Sequence, residues 1–214
     1  MKNICFKRGV IFALTMVLIA SCGKENTEPY YAFDSADYEF IPNNYEEIGT
    51  IYRFRNDNNH EIRIQVLYYN FNKEFDNSYG FGQNGGGAGY FYDNLLIEIK
   101  LMDFSVDGQI DGFCDRIYIH YFKYSDELYI ETEIPTYEAP TCLLDGFNDT
   151  SPFDNLSTME IGATVFNKVK TVETNSYFSL YNDSQIDRLY FDFDHGIIGF
   201  DESQNNNQYR LVLE

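Results

Sequence analysis

The sequence contains no tryptophan, and only 15 of its 214 residues are basic against 34 acidic ones. Without tryptophan, any stacking against a sugar ring falls to tyrosine. The shortage of lysine and arginine leaves a formal charge of −19. Such a surface repels phosphate backbones and anionic headgroups, so nucleic acid is excluded as a partner. Histidine is also scarce. His60, His120 and His195 stand singly, in a turn, a strand and a turn. His60-Glu61 lacks the second histidine of a zinc-hydrolase helix, and no Gly-x-Ser-x-Gly elbow is present. The glycine-rich stretch Gly80-Phe81-Gly82-Gln83-Asn84-Gly85-Gly86-Gly87-Ala88-Gly89 has no Lys-Ser/Thr pair after it. It precedes a strand rather than a helix N-terminus, so it is no phosphate cradle. Asp103, Asp107, Asp111 and Asp115 are spaced too widely for an EF-type calcium loop and lack its late glutamate. These absences lead to an expectation of no catalytic set, no metal site and no cofactor.

Runs of alanine, leucine and glutamate at helical period are missing beyond the first twenty-odd residues. Nineteen tyrosines and 19 phenylalanines are present instead, and aromatic and β-branched residues favour strands. Five prolines and 15 glycines suit many turns rather than disorder. Along the chain, Tyr30 to Tyr45 is aromatic and acidic without period, with a turn at Ile41-Pro42-Asn43-Asn44. Ile48–Phe54 and Glu61–Tyr69 read as a hairpin around Asn56-Asp57-Asn58-Asn59. Ile62, Ile64, Val66 and Tyr68 are expected on one face, with Arg63, Gln65 and Leu67 on the other. Asn70 to Gly89 reads as irregular, and Tyr90 to Phe104 as a strand with Leu95, Ile97, Ile99 and Leu101 on one face. Arg116–Tyr124 and Glu127–Ile134 form the clearest hairpin, turning at Ser125-Asp126. There Leu128, Ile130 and Ile134 face inward, while Tyr129, Glu131 and Glu133 face out. Glu131 and Glu133 therefore sit about 7 Å apart on one strand face. That is a separation at which paired carboxylates can hydrolyse glycosides, although a solvated strand face reads the same way. Pro135 to Ser157 reads as a linker. Strands are expected at Thr158–Glu173, Tyr177–Tyr181, Arg188–Phe193, Gly196–Phe200 and Gln208–Leu213. The fold class is all-β: an antiparallel β-barrel of lipocalin-like form, or a β-sandwich, of about ten strands.

The apolar run with the most to say lies at the front. Lys2, Lys7 and Arg8 precede Val10–Ala20, which is apolar apart from Thr15. Its length suits a secretory signal and falls short of the roughly 20 residues of a spanning helix. It closes on Ile19-Ala20-Ser21-Cys22-Gly23, which resembles the bacterial lipobox. The resemblance implies cleavage before Cys22, diacylglycerol on its thiol and acylation of the new amine. Such chains anchor a protein at about 0.8 kcal/mol per buried CH₂. Gly-Lys-Glu-Asn-Thr-Glu-Pro then reads as a flexible tether. Ser21-Cys22-Gly23-Lys24-Glu25 looks like lipoproteins of the Bacteroidota, in which a basic residue and acids after the cysteine can direct export to the surface. A single acid directly after Lys24 leaves surface and periplasmic faces open. Asp34-Ser35-Ala36 matches the short O-glycosylation acceptor of that phylum.

The last third resembles the tail of uncharacterised Bacteroidota lipoproteins, through Val165-Phe166-Asn167-Lys168-Val169, Ile186-Asp187-Arg188-Leu189-Tyr190-Phe191, Gly196-Ile197-Ile198-Gly199-Phe200-Asp201 and Tyr209-Arg210-Leu211. That likeness implies a shared sheet and carries no active residues.

Residues 1–21 are thus expected to be a signal peptide, 22–29 a tether and 30–214 an all-β domain, divisible only near 135–157. Removing 1–21 leaves 12 basic residues against 34 acidic ones, a net of −22. Cys5 departs with the leader and Cys22 takes the lipid. Cys114 and Cys142 remain as a pair, either bridged in an oxidising compartment or buried as free thiols. The expected function is a non-enzymatic lipoprotein of the cell envelope, anchored in the outer membrane with its face unassigned, that binds a glycan or an envelope protein. A hydrolase using Glu131 or Glu133 and a purely structural envelope component are the alternatives.

Overall fold

A computed structural model describes residues 28–76, 89–102, 115–138, 141–148, 153–173, 186–202 and 206–213, with the backbone alone for 135–138 and 141–148. The leader, Cys22, Cys114, the turns at Asp107 and Asp111 and the segment Tyr177–Tyr181 lie outside these residues. Cys142 enters through its backbone only. The lipid site and the disulfide are therefore outside what the structure describes.

The strands are β1 (Tyr30–Tyr31), β2 (Ile51–Arg55), β3 (Glu61–Asp76), β4 (Tyr90–Leu101), β5 (Arg116–Tyr124), β6 (Glu127–Glu138), β7 (Thr141–Asn148), β8 (Ser157–Ile161), β9 (Thr164–Glu173), β10 (Arg188–Asp192), β11 (Gly196–Glu202) and β12 (Asn207–Leu211). Eleven of them form one antiparallel sheet in the order β7-β6-β5-β4-β3-β2-β12-β11-β10-β9-β8, and β1 adds to β4 in parallel. The expected all-β antiparallel class is what the chain adopts.

Covalent geometry requires this sheet to roll. β7 and β8 are consecutive in sequence but occupy opposite edges. A flat sheet of that many strands would be about 48 Å wide at roughly 4.8 Å per strand. The nine steps from Asn148 to Ser157 reach at most about 32 Å. The two flanks accordingly face each other: Ile117, Ile119, Ile130 and Thr132 bound the same small apolar void, about 20 Å³, as Val172, Leu189, Phe191 and Ile197. The edges β7 and β8 are not paired to each other, so the sheet is an open roll rather than a closed barrel.

Alternation drives the core. Leu95, Ile97, Ile99, Leu101, Ile130 and Ile134 are buried on the faces expected from sequence, and Ile117 and Ile119 are buried beside them. The segment between β1 and β2 packs against the core instead of forming a strand. It forms 3₁₀ turns at Asp37–Phe40 and Asn43–Tyr45 and buries Phe33, Ile41 and Tyr45. The Ile197 N–H donates to the Tyr45 hydroxyl at 2.6 Å. Gly196 sits at φ +79, where a Cβ would lie 2.2 Å from the Tyr45 ring, so only glycine fits. Lys123 points inward from β5 and is held by Asp37 at 2.7 and 2.9 Å and by Asp34 at 3.3 Å.

Four expectations need correction. β3 continues to Asp76, through residues that read as irregular, because Asn70–Asp76 pairs residue for residue with Tyr90–Leu96. A β-bulge between Val66 and Tyr68 inserts one residue and reverses the alternation. Tyr68 thereby turns to the outer face, and Tyr69 packs against the core in its place. The stretch read as a linker, 135–157, contains the end of β6 and all of β7; the β5–β6 register ends at Glu133, so the proline at 135 pairs on the β7 side alone. Finally, 157–173 is a hairpin and not one strand, turning at Gly162 with φ +62.

Candidate functional site

Opposite the core, the outer faces of β3 to β6 form a groove of about 510 Å³ lined by Tyr68, Asn72, Glu74, Asn94, Leu96, Tyr118, His120, Glu131 and Glu133. Register sets its rows. Tyr68, Glu98, Tyr118 and Glu133 lie across the strands in one, and Asn70, Leu96, His120 and Glu131 in the next. Asn94, Phe122 and Tyr129 continue a third row from Asn72. The bulge in β3 is what brings Tyr68 into the first row.

A chain of hydrogen bonds crosses the groove, and its polarity follows from chemistry. The Tyr92 hydroxyl donates to Glu74 Oε2 at 2.8 Å, and Asn94 Nδ2 donates to Glu74 Oε1 at 2.5 Å. A carboxylate only accepts, so the Asn94 amide is fixed with Oδ1 toward His120. His120 Nε2 lies 2.6 Å from that oxygen and must carry the proton. Nδ1 is turned toward Glu131, whose Oε2 lies 3.8 Å away. Phe122 braces the ring at 5.1 Å between centroids and in turn stacks on Tyr129 at 5.4 Å and 12°. Burial and the bond to Glu74 push the Tyr92 hydroxyl up to about 12. Burial, then the Glu98 carboxylate, raises Tyr118 above the ordinary phenol value, and Arg116 opposes them in part. Both phenols thus stay protonated at neutral pH.

The groove's electrostatics are one-sided. Among the described residues, no lysine or arginine lines it. Arg116 is taken up by Glu98 and Asp115 in and beyond the first row. The carboxylates of Glu131 and Glu133 present hydrogen-bond acceptors to whatever enters. Tyr68 and Tyr118 supply aromatic surface. The arrangement can hold a molecule rich in O–H or N–H groups and disfavours an anion.

Of the residues singled out from sequence, Glu131 and Glu133 share this groove with His120. His60 lies in the β2–β3 turn, where its N–H bonds Asn56 Oδ1 at 2.9 Å. His195 binds the fully buried carboxylate of Asp192 at 2.7 Å and stabilises the β10–β11 turn. Asp115 pairs with Lys100 at 3.3 Å. Among the described residues, no group of three or more His, Cys, Asp or Glu could hold a metal ion. Among them, too, no helix is long and apolar enough to cross a membrane. Sequence reasoning passed over Glu74, Asn94 and Tyr118. Asn94 carried a signal, since asparagine is disfavoured in the middle of a strand and is 6% exposed here only because both ends of its amide are bonded. Compared with models of protein families, with curated proteins and with solved structures, the chain matches none.

Proposed function

We propose that this chain is a lipid-tethered, non-enzymatic binding protein of the bacterial cell envelope, and that the groove across β3 to β6 holds a hydroxyl-rich, non-anionic ligand such as a neutral or amino-bearing glycan. The tether rests on the signal-like leader and Cys22. The binding role rests on one observation: the Tyr92–Glu74–Asn94–His120 chain fixes His120 beside Glu131 in a tyrosine-walled groove of ligand size. A sugar offers hydroxyl donors to Glu131 and Glu133 and an apolar ring face to Tyr68 or Tyr118. A glycan array followed by calorimetry tests the reading. Binding of neutral or amino sugars, exclusion of uronic acids and a roughly tenfold loss in Tyr118→Ala are expected, from about 1.4 kcal/mol of stacking. Silence of the wild-type chain across the array would overturn the glycan reading.

A second reading, glycan hydrolysis, draws on the same geometry. Glu131 and Glu133 stand at a separation of roughly 7 Å, nearer to that of inverting glycosidases than to the shorter one of retaining enzymes. Polysaccharide cleavage by the wild type that disappears in both Glu131→Gln and Glu133→Gln would move the groove from binding to catalysis.

A further inference from the structure

Four exposed aromatic side chains gather where the chain enters the domain. Tyr30, Tyr38, Phe71 and Phe75 are 40–49% exposed. Phe71, Lys73 and Phe75 alternate along one face of β3. Tyr38 lies 6.2 Å from Phe71 between ring centroids, and Phe75 lies 4.8 Å from Phe91. Lys73 Nζ spans the middle, 3.8 Å from the Tyr30 ring and 4.5 Å from that of Phe91. The patch is built rigidly. The Tyr30 hydroxyl and the Phe33 N–H both donate to Asp93, at 2.5 and 2.8 Å.

We infer that this patch docks on a zwitterionic lipid surface. The inference rests on the lipid tether at Cys22. Eight steps of chain lead from Cys22 to Tyr30, an extended reach of about 28 Å and a flexible-chain span nearer 16 Å. The patch is therefore confined close to the bilayer, where weak affinity suffices. Tyrosine, phenylalanine and a lysine together are the composition of a membrane–water interface. The acid surplus of the domain opposes anionic headgroups, which selects zwitterionic ones. Tyr68, Asn72 and Glu74 occupy the opposite face of the same strand, so docking turns the groove away from the bilayer.

The absence of native tryptophan allows a direct test. Tyr38→Trp, Phe75→Trp and, near the far edge of the sheet, Val165→Trp are each purified from cell envelopes as the full processed chain. Each is then reconstituted in brominated phosphatidylcholine vesicles. Two reporters at the patch guard against one failing to fold. The Tyr38→Trp and Phe75→Trp proteins are expected to lose about half their emission, Val165→Trp almost none, and the loss should shrink as anionic lipid is added. Equal quenching at all three sites, or none at the patch in a protein whose mass shows the lipid, would overturn the docking while leaving the tether intact. A mass without lipid would overturn both.

Discussion

The Lys123–Asp37 pair gives the sharpest quantitative test of how the entering segment is held. Lys123 sits on the core face of β5 with its side chain 5% exposed, and that of Asp37 is 7% exposed. Both Asp37 oxygens accept from the ammonium, and Asp34 adds a third, partly solvated contact. Lys123→Met keeps most of the side-chain volume but strands the Asp37 carboxylate, whose remaining donor is the Asp34 N–H at 2.8 Å. Breaking a buried pair from one side costs about 3–5 kcal/mol. The surviving N–H places this case at the lower end, about 3 kcal/mol. Replacing both partners, as Lys123→Met with Asp37→Leu, removes the stranded charge and should return stability to within about 1 kcal/mol of wild type. Urea unfolding with an unchanged m-value measures all four corners of the cycle. A single-mutant cost below about 1 kcal/mol, or a double mutant as unstable as the two singles added, would refute the reasoning. The pair also has a pH signature. Burial draws the ammonium down, but the bonds to Asp37 and then Asp34 win, and the value ends above the ordinary 10.5. A raised value means the contribution is whole below pH 10.5 and is lost as pH climbs through the folded value. The deficit of Lys123→Met should therefore be constant from pH 6 to 9 and shrink only beyond about pH 10.5.

Tyr121 is fully buried and its hydroxyl has no hydrogen-bond partner, so Tyr121→Phe should stabilise the protein by about 1 kcal/mol in urea titrations. Burial holds Tyr121 and Tyr45 well above the ordinary phenol value. The unfolded chain releases those protons above pH 10 while the folded one keeps them, so each adds a fall of about 1.4 kcal/mol per pH unit to wild-type stability, and Tyr121→Phe should reduce the slope by that one share. Gly196→Ala combines a positive φ with a Cβ inside the Tyr45 ring and should cost at least 2 kcal/mol; thermal unfolding near the wild-type Tm would contradict the packing described. Asn94→Leu cuts the chain between Glu74 and His120, and ligand affinity measured by calorimetry should drop about tenfold with the fold retained by circular dichroism.

Much of the framework was legible because strand alternation is a local property. Ile130 and Ile134, Leu95 to Leu101 and the turn at Ser125-Asp126 announced their faces and their hairpin without reference to distant residues. The acid surplus likewise set the sign of the surface, and the period of two put Glu131 and Glu133 together on the outward side of β6. What alternation cannot encode is an inserted residue or a partner far along the chain. The bulge before Tyr68 leaves no mark on composition, yet it decides which of Leu67 and Tyr68 faces the groove. The pairing of β2 with β12 joins residues more than 150 positions apart through contacts such as Leu211 with Phe54, and no short window contains both. Only that long-range pairing, with the roll it enforces, decides that Phe33, Ile41 and Tyr45, from a segment without period, are buried against the core. Cross-strand register, which depends on every turn and bulge between β3 and β6, alone sets His120 beside Asn94 and Glu131. The inward and outward character of each strand was thus written in the chain itself, and the groove was made by how the strands meet.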